Sequence, residues 1–285
     1  IGGLTIMTLG QAAALGVGAL VPAAIVGVMF WADNLTRFDA NNKAPFVGYV
    51  LVLVEISAMA TAFLLELLIK SYRGESVMVS LGQVLGALCA LAAIGFFWGK
   101  KFADEKVDKT RKVQEGIIET KTEPFIPLNW VTLAIITGVL SGLGGIFYKE
   151  DPAMPSYVFT GIIGAMWVIC SVVFMGGRTV WKGAGLRLNI LSFQEARTFG
   201  PIVFGSLILA GILTWGANLG RFSAIGEAPL VGYVYLFFPI AAGAAALILE
   251  GLAKWMKGSS LAISGYEIGG IAFAIASLAF FTMAS

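Results

Sequence analysis

Glu55 is the residue best placed to do chemistry. It lies in VGYVLVLVEISAMATAFLL, an apolar run with no other charge. A carboxylate inside a bilayer is costly, so it marks an ion or proton path, or a partner that neutralises it. Pro239 stands 184 residues later, in the related run VGYVYLFFPIAAGAAALIL, with Gly243 one turn on. Proline removes a backbone donor and disrupts the hydrogen bond one turn back. Freed carbonyls beside one carboxylate suit a site coupled to a cation or a proton. Glu55 and Pro239 are therefore expected to approach each other near the midplane. The plainer alternative is a protonated Glu55 bonded to a neighbouring helix beside a packing kink.

Other polar residues recur at the same offset. Gln83 and Glu267 match, one amide and one carboxyl, and are expected a turn or two inside their spans, where Glu267 could join a pathway with Glu55. Glu66 and Lys70 match Glu250 and Lys254. Both are i,i+4 pairs on one helix face. The expected role is an interfacial ion pair with a snorkelling lysine, the alternative a gate at each membrane surface. Asn34 and Arg37 in NLTRF match Asn218 and Arg221 in NLGRF. These segments are expected to be loops whose arginines satisfy the last carbonyls of the preceding spans.

Several chemistries are unsupported. The chain has no histidine, which excludes His-ligated haem and His-based acid–base catalysis. Cys89 and Cys170 are far apart and form no CxxC. No phosphate loop or nucleophile elbow occurs. No cofactor is evident and an enzyme is not indicated, although a bound lipid or quinone is compatible with so apolar a chain. The net charge of +2 gives no reason to expect a nucleic-acid partner.

These residues must be positioned by membrane helices. Of 285 residues, 58% are hydrophobic and 13% charged, and mean hydropathy is +0.87. A soluble domain carries about 25% charge, so the chain reads as an all-α integral membrane protein. About 20 apolar residues cross a bilayer. Eight such runs occur, at 10–32, 46–70, 77–99, 128–148, 155–176, 199–217, 229–253 and 260–284. Six of seven tryptophans, Trp31 and Trp215 among them, fall near their ends, as an aromatic belt requires; Trp167 is the exception. With eight crossings, the basic residues divide 15 to 4 between the two sides, which places both termini outside the cytoplasm, in an inner-type membrane.

The matches belong to a duplication. Set against 215–281, residues 31–97 give 28 identities in 67 positions without a gap. The copies start at the first and sixth spans, an odd shift, so they are oppositely oriented. The expected architecture is two three-helix inverted repeats, spans 1–3 and 6–8, joined by a two-helix insert. In chain order these are a membrane repeat at 1–100, a charged, partly helical cytoplasmic linker at 101–127, a two-helix hairpin at 128–185 and a second repeat at 186–285. Helices equivalent to spans 4 and 5 do not precede the first copy. Their loss from a five-plus-five ancestor, or a segment upstream of Ile1, would account for this. In the hairpin, Gly138 and Gly142, and Ser141 and Gly145, give small-xxx-small spacing for close packing, within the chain or against a partner.

Two functions fit. One is a secondary transporter with a midplane site between inverted repeats, coupled to a cation or proton. The other is a non-haem anchor or quinone-contacting structural subunit of a larger membrane complex. A channel fits less well. The expected partners are the bilayer, a second copy, or other membrane subunits. NLGRF shares a few residues with the LGRP-type loop of NrfD-like quinol-interacting anchors; it lacks the proline and identifies no family.

Overall fold

The computed structural model describes residues 16–44, 47–75, 79–114, 129–150, 154–174, 178–181, 186–188, 198–228, 230–232, 234–235, 252–253, 256, 258 and 264–283. They form seven helices and a small ribbon. The helices are α1 (Val17–Lys43), α2 (Val47–Tyr72), α3 (Leu81–Gln114), α4 (Trp130–Lys149), α5 (Ser156–Val173), α6 (Pro201–Glu227) and α7 (Gly265–Met283). The ribbon pairs β1 (Arg178–Trp181) with β2 (Leu186–Leu188), antiparallel, between α5 and α6. It departs from the purely helical expectation. Arg-Thr-Val-Trp is short and rich in β-branched and aromatic residues, which favours a strand.

Five described helices are long and apolar enough to cross a membrane: α2, α3 as far as Lys100, α4, α5 and α6. The chain is thus a helical protein suited to a bilayer. Most of the seventh apolar run, 229–253, lies outside the described residues; helical backbone resumes at 231–232 and 234–235.

The ends of α1 and α6 correct the sequence reading. NLTRF and NLGRF are not loops. Both helices run on for about three turns, to Lys43 and Glu227, so Trp31 and Trp215 sit inside them rather than at their ends. Several polar residues of α1 bond within the helix. Asn34 donates to the Phe30 carbonyl at 2.7 Å, Thr36 to that of Ala32 at 3.1 Å, and Lys43 pairs with Asp39 at 2.7 Å. What ends each helix is proline. The residue before a proline is driven from α to extended backbone. Ala44 and Ala228, each followed by proline, take φ −79°, ψ 148° and φ −71°, ψ 141°, and each N–H still donates one turn back.

Further pairs at the same offset share local structure. Gly74 and Gly258 both take positive φ, 71° and 68°, a conformation that favours glycine. At the start of α3, Ser80 N–H donates to Gln83 Oε1 (3.0 Å) and Gln83 N–H to Ser80 Oγ (3.2 Å). At the start of α7, Ser264 N–H donates to Glu267 Oε2 (2.6 Å) and Glu267 N–H to Ser264 Oγ (3.3 Å). Each is a capping box, satisfying two orphan donors of a helix N-terminus. Gln83 and Glu267 therefore lie in the first turns of their helices, nearer the ends than expected.

Packing sets α1 and α2 against α4's glycine face, and α5 against α1. A Cβ on Gly138 would overlap the Val54 carbonyl oxygen, and one on Gly142 would lie 2.6 Å from that of Ala58. Close approach of α2 to α4 thus requires glycine, and the small-residue motif serves packing within the chain. Phe30, Tyr148, Phe159 and Phe222 form an aromatic cluster, with centroids 4.7–5.6 Å apart, that ties the last turns of α6 to α1, α4 and α5. Separately, α3 and α7 pack antiparallel. Phe96 and Phe97 sit over Gly269 and Gly270, and Ser277 donates to the Gly86 carbonyl at 2.7 Å.

Candidate functional site: a buried charged cluster

Four charged side chains meet among α1, α2, α4 and α6. Glu55, on α2, is 4% exposed, and Arg221, on α6, is 8% exposed. Arg221 Nη2 donates to Glu55 Oε1 at 3.0 Å. Arg221 also lies over the Tyr235 ring, 5.4 Å from its centroid, and the Tyr235 hydroxyl donates to the Ser141 carbonyl on α4 at 2.5 Å. One turn apart on α1, Asp33 Oδ2 and Arg37 Nη2 are 3.5 Å from each other. Asp33 is 2% exposed and within Coulomb range of Arg37, Arg221 and Glu55. Thr36 and Thr137 join α1 to α4 by a 2.6 Å hydroxyl contact.

The helix extension explains how the arginines come to be here. Had α1 and α6 ended near residues 32 and 217, Arg37 and Arg221 would lie in loops. Held in helix, Arg221 is carried between its neighbours, where Glu55 neutralises it. Two arginines and two carboxylates leave the set formally neutral, which a low-dielectric interior requires. Hydrogen bonding is incomplete: Glu55 Oε2, Arg37 Nε and Ser57 Oγ are buried without a partner among the described residues, while the Ser141 side chain faces Asp33.

A second polar junction holds Glu66, 4% exposed. Lys149 of α4 donates to Glu66 Oε1 at 2.9 Å and to the Ala228 carbonyl at 3.0 Å. The Val231 backbone N–H donates to Glu66 Oε2 at 2.9 Å. One carboxylate thereby caps the chain where helix resumes after α6, and fastens α2 and α4 to it. Lys70, the expected partner, is more distant at 3.7 Å. Nearby, Arg73 pairs with Glu150.

Of the residues singled out from sequence, Glu55 joins the buried cluster, Glu66 and Lys70 the second junction, and Gln83 and Glu267 the caps of α3 and α7. Pro239, Glu250 and Lys254 lie outside the described residues. Sequence reasoning missed Asp33 and Lys149, and it placed Arg37 and Arg221 in other roles. A signal for the arginines was present: each stands six positions after Trp31 or Trp215 in a shared motif, and Asp33 precedes Arg37 by one helical turn. No group of His, Cys, Asp or Glu suited to a metal occurs among the described residues.

No protein-family model and no curated protein matches the chain. A solved structure described as "Crystal structure of protein" is similar at 18% identity and a TM-score of 0.48, covering 99% of this chain and 83% of that one.

Proposed function

We propose that the chain is a secondary transporter built on an inverted repeat, with its site at the Asp33–Arg37–Glu55–Arg221 cluster. The observation that carries this reading is the Glu55–Arg221 ion pair. Its partners come from helices 166 residues apart, both are nearly fully buried, and Glu55 Oε2 has no partner among the described residues. An intramembrane pair of this kind is costly and marks function by default. The duplication is supported by the matching caps, positive-φ glycines and Ala-Pro stops at one offset, and its inversion by the antiparallel packing of α3 on α7. Two equivalent helices that both cross a bilayer and run antiparallel belong to oppositely oriented copies. On this reading there are eight crossings, with both termini on the non-cytoplasmic side, and transport is coupled to a cation or proton.

The test is reconstitution. The purified chain, in vesicles holding a proton- or sodium-sensitive dye, is challenged with a panel of small metabolites under an imposed gradient. Wild type is expected to show metabolite-dependent ion movement that Glu55→Gln abolishes while keeping its elution volume. Normal ion movement in Glu55→Gln would remove the cluster from the mechanism.

A second reading, a subunit of a larger membrane complex, is favoured by α6. Residues 201–217 are exposed on every face: Ile202, Val203 and Phe204, and one turn further Leu207, Ile208 and Leu209, are each 47–84% exposed. Its counterpart α1 is packed by α4 and α5. Co-purification of other membrane subunits, with loss of stability once they are stripped away, would favour this reading over a carrier.

A further inference from the structure

α1 and α6 hold equivalent places in the two copies, but only α1 is covered. On α1, Ala23, Val26 and Phe30 are buried against α4 and α5. A Cβ on Gly27 would lie 2.7 Å from that of Met166 on α5, and one on Gly144 of α4 would overlap the Phe30 ring. The counterparts of Ala23, Val26, Gly27 and Phe30 are Leu207, Ala210, Gly211 and Thr214, and all four are exposed. No atom of another helix lies within 4 Å of where a Cβ on Gly211 would stand. Leu207, Thr214 and Arg221 follow at seven-residue spacing, which keeps them on one side of a helix. The bare face therefore continues the one by which the last turns of α6 pack on α1, α4 and α5. Among the described residues there are two equivalent faces and one hairpin to cover them.

We propose that this face of α6 docks a pair of apolar transmembrane helices from another membrane subunit, seated on it as α4 and α5 are seated on α1. A second copy of the chain has no such pair free. Its α4 already meets α2 at Gly138 and Gly142 and α1 at Gly144, and its α5 meets α1 at Met166. Lipid tails cover a leucine as well as a helix does. A glycine in mid-helix, however, lowers helix stability, and what it gives in return is close approach of a second helix. The sizes on the face describe the partner. The helix over Gly211 carries a long side chain, as Met166 is to Gly27. The helix over Thr214 carries more than the glycine that admits Phe30, because threonine is smaller.

The proposal rests on the reading of the chain as a subunit of a larger complex, and it leaves ion movement at the charged cluster untouched. The test is photo-crosslinking in the native membrane. Benzoylphenylalanine is placed singly at Leu207, Ala210 and Thr214, and at Leu209 and Ile212, whose counterparts Ile25 and Val28 point away from the hairpin. One membrane protein, the same each time, is expected to join at the first three positions and not at the last two, through its apolar helices. Gly211→Leu is expected to abolish these adducts without lowering the thermal stability of the isolated chain, since the new side chain meets nothing there. Adducts of twice the chain's mass, loops within one chain, adducts from both faces alike, or adducts that survive Gly211→Leu overturn the proposal. A subunit that co-purifies yet crosslinks only outside α6 overturns the docking face and leaves the complex standing. Absence of any co-purifying subunit overturns both.

Discussion

Arg221 and Glu55 meet at 3.0 Å across two helices, in the buried interior of a helical protein. Such a pair is weak evidence for stability, because desolvation offsets the attraction, but breaking it leaves an uncompensated charge. Arg221→Met alone should therefore destabilise by about 3–5 kcal/mol, whereas Glu55→Gln with Arg221→Met should lie much nearer wild type. Unfolding in mixed micelles measures both. A double variant as unstable as the single one would show that the pair is not a closed unit.

The glycine face of α4 gives a packing test. Gly138→Ala places a methyl against the Val54 carbonyl and Ser57, so α2 and α4 must move apart. Overpacking of this kind costs about 1–3 kcal/mol. Gly164→Ala, on α5, meets nothing within 4 Å and should be neutral or stabilising. Thermal unfolding of the two variants side by side measures the difference.

Glu66 is a junction between three segments. Glu66→Ala leaves the Val231 N–H without its acceptor and Lys149 with the Ala228 carbonyl alone, at about 1–3 kcal/mol. Lys70→Met, removing a partner that is one-third exposed and 3.7 Å away, should cost no more than about 1 kcal/mol. Equal losses in the two variants would contradict the geometry.

Glu267 separates a cap from a pathway. Glu267→Gln keeps the oxygen that accepts from Ser264, and a glutamine already fills the matching position at Gln83. Neither stability nor ion movement should change. Ser264→Ala, which removes the other half of the box, should cost about 0.5–2 kcal/mol and speed hydrogen exchange in the first turn of α7. Loss of ion movement in Glu267→Gln would put this carboxyl on a path.

The helical character of the chain was legible because apolar runs of membrane length dominate it. The close packing of Gly138 and Gly142 was legible as a motif, and the two caps were written as Ser80–Gln83 and Ser264–Glu267, although their polar residues invited a deeper placement. The ends of α1 and α6 were not legible. Hydropathy counts each residue alone, so Asp33, Arg37 and Arg221 looked like the limits of spans. Their helices continue because each charge finds a partner, and the partner of Arg221 is 166 residues away. No local window contains that information.

The same separation has a consequence for biogenesis. Chains are made N-terminus first, at about 5–20 residues per second. Glu55 must wait for the 166 residues that lead to Arg221, roughly ten to thirty seconds at that rate. During this interval α2 carries an acid whose partner does not yet exist. Release of α6 from the ribosome is then the event that completes the Glu55–Arg221 pair, so assembly of the charged centre is timed by the order of synthesis.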